Sequence, residues 1–130
     1  MAEIPKISEA EWEVMKIVWA RWPVTATEII EALAGRKEWN ARTVKTLVNR
    51  LVQKGALSHQ SQGKRYLYQA TCTREQAAQA ATGNFAQRIF DGDSVSLLVS
   101  LIRGMRLSPD DADELVNVIK ARRRSHDRKL

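Results

Sequence analysis

The sequence predicts a mainly α-helical chain carrying one small β-hairpin, and three observations give that class. Apolar residues recur at helical spacing in six separate stretches, three of which open on a Ser/Thr-x-x-Glu/Gln capping box. Between residues 57 and 70 the period drops to two, with alternating runs on either side of a Gly-containing turn. Hydrophobic content of 44% is enough for a globular core, yet no apolar run approaches the ~18 residues of a membrane span.

The first helix starts at the capping box of Ser8 and Glu11. Trp12, Met15, Val18, Trp19 and Trp22 follow at helical spacing until Pro23 stops the run, and the tryptophans are expected in the core. Val24 is a short extended link to a second box, Thr25 with Glu28, whose helix buries Ile29, Ile30 and Leu33 and closes at Gly35. After a loop of Arg36, Lys37 and Glu38 comes Trp39 as an anchor, then Asn40 as the N-cap of a third helix. Val44, Leu47, Val48 and Leu51 form its apolar stripe, and Gly55 offers the left-handed position that ends it. Its other face carries Arg42, Thr43, Lys45, Thr46, Asn49, Arg50, Gln53 and Lys54, with no acid among them. Two short helices and a tight connection into a basic helix are the helix-turn-helix arrangement.

In the hairpin, Leu57, His59 and Ser61 alternate with Ser58 and Gln60, and Tyr66, Tyr68 and Ala70 alternate with Leu67 and Gln69. The tip carries Gln62, Lys64 and Arg65. Three helices followed by a hairpin with a cationic tip make a winged helix, with the tip as the wing. Beyond it, Thr73 and Gln76 box the start of an alanine-rich helix with Ala77, Ala80, Ala81, Phe85 and Ile89 as its stripe. Ser94 opens a helix that is apolar around most of its girth, and Ser108 caps the last one with Pro109 at its first position. Three such helices cannot bury that surface alone, so a symmetric dimer is expected, its junction at Leu97, Leu98, Leu101 and Ile102 with Leu115 and Ile119. The implied division is residues 1–71 as a winged helix-turn-helix DNA-binding domain, 72–123 as a helical dimerisation domain and 124–130 as a basic, disordered tail.

Charge narrows the function. Residues 36–65 hold eight Lys/Arg against one acid, whereas 71–119 hold four against seven, so the basic patch coincides with the winged helix. A polyanion partner follows. His59 and Cys72 have no second ligand at metal spacing, and no phosphate loop, paired carboxylates or Ser/His/Asp set is visible, so neither catalysis nor a metal or other cofactor is expected. The one cysteine excludes an intramolecular disulfide and suits a reducing cytoplasm, and the N-terminus lacks the apolar stretch of a signal peptide. The rival reading is a winged helix that binds an acidic protein; a nucleic-acid enzyme is a weaker third.

The chain resembles the penicillinase and methicillin-resistance repressors (the BlaI/MecI family) over nearly its whole length. The likeness rests on ISEAEWEVMKIVW at 7–19, EWNARTVKTLVNRLVQKGAL at 38–57, GKRYLY at 63–68, and SVSLLVSLI with LSPDDADEL within 94–115. The resemblance implies a homodimeric winged-helix repressor of palindromic operators with TACA/TGTA-type half-sites. It implies Arg42, Thr43 and Thr46 at the DNA and Lys64 to Tyr66 in the wing. The resulting assignment gives Arg42, Thr43, Thr46 and Asn49 to bases, and Lys45, Arg50, Lys54, Lys64, Arg65 and Tyr66 to phosphates. Many relatives open the recognition helix with Ser-Pro where Asn40-Ala41 stands here. In antibiotic-responsive members, a sensor-linked protease leads to cleavage of an Asn-Phe bond that aligns with Ser100-Leu101, the candidate cleavage site of this chain. The paired Cys-x-Cys motifs of copper-responsive relatives are missing.

Overall fold

The computed structural model describes residues 4–129, with side chains as far as Ser125. Its elements run α1 (Glu9–Arg21), α2 (Ala26–Ala34), α3 (Ala41–Lys54), β1 (Leu57–Gln62), β2 (Arg65–Ala70), α4 (Arg74–Phe90), α5 (Ser94–Gly104) and α6 (Pro109–Lys129). The predicted class is the observed one. The chain packs as two compact units that divide between Phe85 and Ala86, inside α4.

Local chemistry sets the helix ends. Ser8 Oγ accepts from the Glu11 N–H at 3.1 Å while Glu11 Oε1 accepts from the Ser8 N–H at 2.9 Å, and the Thr25/Glu28 and Thr73/Gln76 boxes close in the same reciprocal way. Asn40 Oδ1 caps α3 by accepting from the Thr43 N–H at 2.9 Å, and Gly55 ends the helix at φ 85°. That φ lies where a Cβ would crowd the following carbonyl, which is why glycine stands there. α5 begins at Ser94 as its sequence suggests, but the cap is Asp93, whose carboxylate accepts from the Ser96 N–H at 3.0 Å and the Ser96 hydroxyl at 2.6 Å.

In the first unit α1, α2 and α3 enclose one apolar core with the base of the hairpin. Val14, Met15 and Val18 of α1, Ile29 and Leu33 of α2, and Val44, Leu47, Val48 and Leu51 of α3 are buried together with Leu57 and Tyr68. Helical spacing assigns the tryptophans to this core, and here the structure differs. Trp22 is 57% exposed, while Trp12 and Trp19 lie half-buried at its edge, edge-to-face with each other at 5.3 Å. Trp19 directs its indole N–H to the Cys72 carbonyl at 3.0 Å, so its polar edge has a partner outside the core. The stripe that α1 actually buries is Glu11, Val14, Met15, Ile17 and Val18. Aliphatic chains fill the narrow space between helices, and the indoles with their donors stay at the rim.

β1 and β2 pair antiparallel from Leu57–Ala70 to Gln62–Arg65, leaving Gly63 and Lys64 as a two-residue turn. Gly63 at φ 65° supplies the positive φ that such a tight hairpin needs at its first turn position. Val24 is more than a link, because it exchanges backbone hydrogen bonds of 3.1 and 2.7 Å with Tyr68 and acts as a one-residue third strand. Thr71 then fastens the end of the hairpin to the end of α3, its N–H donating to the Ala56 carbonyl at 3.0 Å.

In the second unit, Ala86 and Leu97 are buried, while Ile89, Val95, Leu98, Leu101, Met105, Val116, Val118 and Ile119 are exposed. α6 continues through residues 124–129, which the sequence assigns to a disordered tail; Leu130 lies outside the described residues. The arginines and lysines there are good helix formers and sit where cations suit the helix dipole, so charge extends the helix instead of ending it.

Candidate nucleic-acid interface

The winged helix presents one continuous run of exposed polar chemistry along α3. With Val44, Leu47, Val48 and Leu51 turned into the core, Arg42, Lys45, Thr46, Asn49, Arg50 and Gln53 are left in solvent, and Thr43 is half-buried beside its cap. The face carries three exposed cations in these positions and no acid, so nothing within the helix neutralises it. A 14-residue α-helix about 10–12 Å across is of a size the major groove admits.

The hydroxyls on this face are not equivalent. Thr46 donates its hydroxyl proton to the Arg42 carbonyl at 3.0 Å, one turn earlier. That leaves its oxygen lone pairs and its methyl facing outward, suited to an exocyclic amino donor or a thymine methyl. Asn49 and Gln53 keep both donors and acceptors. Arg42 and Arg50 offer the planar fork that matches paired acceptors or a phosphate.

The hairpin contributes a second contact surface. Lys64 occupies the turn and Arg65 opens β2, both exposed, with Gln62 across from Arg65. Tyr66 is half-exposed, and its ring lies 4.3 Å from that of His59 at 34°, with the Tyr68 ring edge-on to His59 at 5.7 Å. His59, with no metal partner in the sequence, therefore braces the wing by ring contact. Its position across from Tyr68 and diagonal to Tyr66 was readable from the period-two alternation.

Lys54, expected at a phosphate, has partners within its own chain. Its ammonium donates to Glu11 Oε1 at 2.5 Å and to the Lys6 carbonyl at 2.9 Å, so it is tied to α1 instead of standing free for a phosphate. Burial pushes the Glu11 carboxyl up, but the hydrogen bonds from Lys54 and the Ser8 N–H, with the Lys54 charge, outweigh it and hold the group below its usual range. Moving Lys54 away would strand that buried carboxylate, which is why the cation stays. Sequence reasoning assigns Glu11 to the capping box and misses its burial and its pairing with Lys54. The signal of burial was present, because Glu11 falls in phase with Val14, Met15 and Val18 on the buried stripe.

Among the residues expected at a dimer junction, Leu98, Leu101, Ile102 and Ile119 are exposed and Leu115 is half-buried. Leu97 is the exception, 5% exposed and already packed within the chain. Ser100 and Leu101 both lie inside helical α5 and are solvent-facing. Among the described residues no group of three or more His, Cys, Asp or Glu could hold a metal, and no helix is long and apolar enough to cross a membrane. Cys72 is buried, and burial pushes its thiol up, away from the reactive thiolate.

Comparison with known proteins agrees with this geometry. The penicillinase repressor of Bacillus licheniformis is 29% identical over 120 residues, spanning 92% of this chain and 94% of that protein. The methicillin resistance regulatory protein MecI of Staphylococcus aureus (strain N315) is 32% identical over 114 residues, 88% of this chain and 93% of that one. Among solved structures, the DNA-binding domain of the repressor BlaI superposes with a TM-score of 0.53 at 36% identity, covering 58% of this chain and 93% of that one. The monomeric form of Bacillus licheniformis BlaI bound to the blaP half-operator gives 0.52 at 36% identity, with the same coverage. The family model described as penicillinase repressor matches residues 7–121. The chain belongs to the penicillinase repressor family, a family of winged-helix transcriptional repressors and not of enzymes.

Proposed function

We propose that the chain represses transcription as a homodimer whose two winged helices occupy the half-sites of a palindromic operator, and that it is released when the dimer is lost. The observation that carries this reading is the exposed, acid-free outer face of α3, together with the exposed cations Lys64 and Arg65 at the hairpin turn. The half-operator bound by the similar BlaI domain supports it. Arg42, Thr43, Thr46 and Asn49 read base edges in the major groove, while Lys45, Arg50, Lys64 and Arg65 hold phosphates and Tyr66 packs the wing on the backbone.

Dimerisation draws support from the second unit, where Leu98, Leu101, Ile102 and Ile119 face solvent in a single chain. So many large apolar side chains exposed on α5 and α6 mark surface meant to be covered. Two linked half-sites bind at a high effective concentration, so separation of the subunits empties the operator without altering either reading surface. A sensor-linked protease that cuts Ser100-Leu101 would act in that way. Titration of the chain with a TACA/TGTA palindrome and with a scrambled duplex at several salt concentrations tests the reading. We expect preference for the palindrome with two chains bound per duplex; equal affinity for both duplexes would rule out operator reading.

A further inference from the structure

We propose that Lys54 and Glu11 are a positioning pair that sets the angle at which α3 enters the groove, and that Lys54 is not one of the cations that touch DNA. This deepens the function proposed above and rests on α3 being the helix that reads the operator.

The pair joins the last turn of α3 to the first turn of α1, across 43 residues of sequence. A single oxygen, Glu11 Oε1, accepts both the Ser8 N–H that closes the α1 capping box, at 2.9 Å, and the Lys54 ammonium. The Glu11 side chain is 2% exposed and the Lys54 side chain 37% exposed, so the carboxylate is the fixed member and the lysine is drawn to it. A second bond from Lys54 to the Lys6 carbonyl, 2.9 Å long, fixes the direction of the ammonium. The rest of α3 is held by its apolar stripe, and hydrophobic contact has no direction of its own. Small rotations of the helix on that stripe are resisted by the polar tie at its end.

Geometry gives the tie its leverage. Arg42 lies twelve residues before Lys54, which is about 18 Å at 1.5 Å per residue. α3 pivots on its apolar stripe, centred near Val48 about 9 Å from each end. A tilt of roughly 5° that the Lys54 tie no longer resists displaces Arg42 by about 0.8 Å, more than the ~0.5 Å over which a hydrogen bond keeps its strength. A loosened anchor at one end of α3 is thus felt at the base-reading end. Phosphate contacts from flexible lysines tolerate such a shift, so specificity falls before general affinity does.

The test is anisotropy titration of the full chain on operator and on scrambled duplex, over a range of salt, with variants Lys54→Met, Glu11→Gln, the double variant and Lys54→Arg. Measurements are made well below each variant's melting temperature. Lys54→Met is expected to lose about tenfold on operator, little on scrambled duplex, and to keep the parent's salt slope. Glu11→Gln should show the same loss, the double variant no more than either single one, and Lys54→Arg should retain parental binding. If Glu11→Gln does not fold, the double variant, which leaves no unpaired charge, carries the same comparison with Lys54→Met. The proposal fails if Lys54→Met weakens both duplexes alike and lowers the salt slope by about 0.9, the mark of a lost phosphate contact. It fails equally if Glu11→Gln binds operator as tightly as the parent or tighter. Thr43→Ala is measured alongside; if it leaves operator binding unchanged, it is the assignment of α3 that is wrong, and the pair loses its role with it.

Discussion

Replacing Leu101 by Asp separates dimerisation from folding, because the two make opposite demands on that side chain. Leu101 is 55% exposed in the single chain, so an aspartate there keeps its water and leaves the protomer intact. The local penalty is helix propensity alone, at most about 0.7 kcal/mol. In a dimer that covers this face the sum is different. Full burial of a leucine is worth about 1.5–3 kcal/mol, so covering the exposed half contributes roughly 1 kcal/mol per copy and about 2 kcal/mol for both. An unpaired carboxylate in the same junction costs about 2 kcal/mol or more per copy, and the total reaches roughly 6 kcal/mol. At 1.4 kcal/mol per factor of ten, dimer affinity falls by about four powers of ten.

Sedimentation velocity at micromolar concentration should therefore find Leu101→Asp monomeric, with an unchanged helical signal. Its operator affinity should drop by about two to four powers of ten, the contribution of linking two half-sites. Leu97→Ala is the contrasting control: at 5% exposure it should destabilise the chain itself by about 2–5 kcal/mol. A Leu101→Asp protein as dimeric as its parent would remove this face of α5 from the junction. A monomeric one that still held the operator at parental affinity would refute release through loss of the dimer.

Thr43→Ala should lose about 1–3 kcal/mol on the operator and little on random duplex, read by competition titration; equal losses on both would end its assignment as a base reader. Arg65→Ala at the wing should weaken both duplexes and flatten the salt dependence by about one unit of slope, and an unchanged slope would free Arg65 from phosphate binding. Gly55→Ala should lower stability by about 1–2 kcal/mol in urea denaturation, all of it from φ 85°, since nothing lies within 4 Å of the added Cβ. Acid should also unfold the chain early. Burial raises Glu11, but Lys54 and Ser8 hold it below its ordinary 4.5, the Thr25 N–H lowers Glu28, and the Ser96 hydroxyl lowers Asp93 below its ordinary 3.8. These groups bind fewer protons folded than unfolded, so their stabilisation is complete above about pH 5 and is lost as pH falls through the folded values. A urea midpoint that stayed level from pH 7 to pH 3 would contradict this.

Much of the interface is legible in the amino-acid sequence, because its determinants are local. A capping box needs four consecutive residues, and Ser8/Glu11, Thr25/Glu28 and Thr73/Gln76 each close where the sequence places them. Asn40 and Gly55 mark both ends of α3, and the 3.6-residue stripe between them leaves the polar face outward. The hairpin follows from alternation and from one glycine at φ 65°. Each of these rests on backbone geometry within a turn or two, where sequence neighbours are also spatial neighbours.

Only the tertiary structure decided which partners meet across the chain. Helical phase makes Trp22 a core candidate, but the space between α1, α2 and α3 is filled by aliphatic side chains, and the indole is left in solvent. Composition counts Lys54 among the cations of a reading face, whereas a carboxylate 43 residues earlier claims it. Val24 becomes a strand because Tyr68 arrives beside it, and Trp19 finds its acceptor 53 residues away at Cys72. A charge or a ring carries no record of distant partners in its own neighbourhood of sequence. Burial and pairing are set when separate elements close on one volume, and there the best-fitting side chain displaces the merely apolar one.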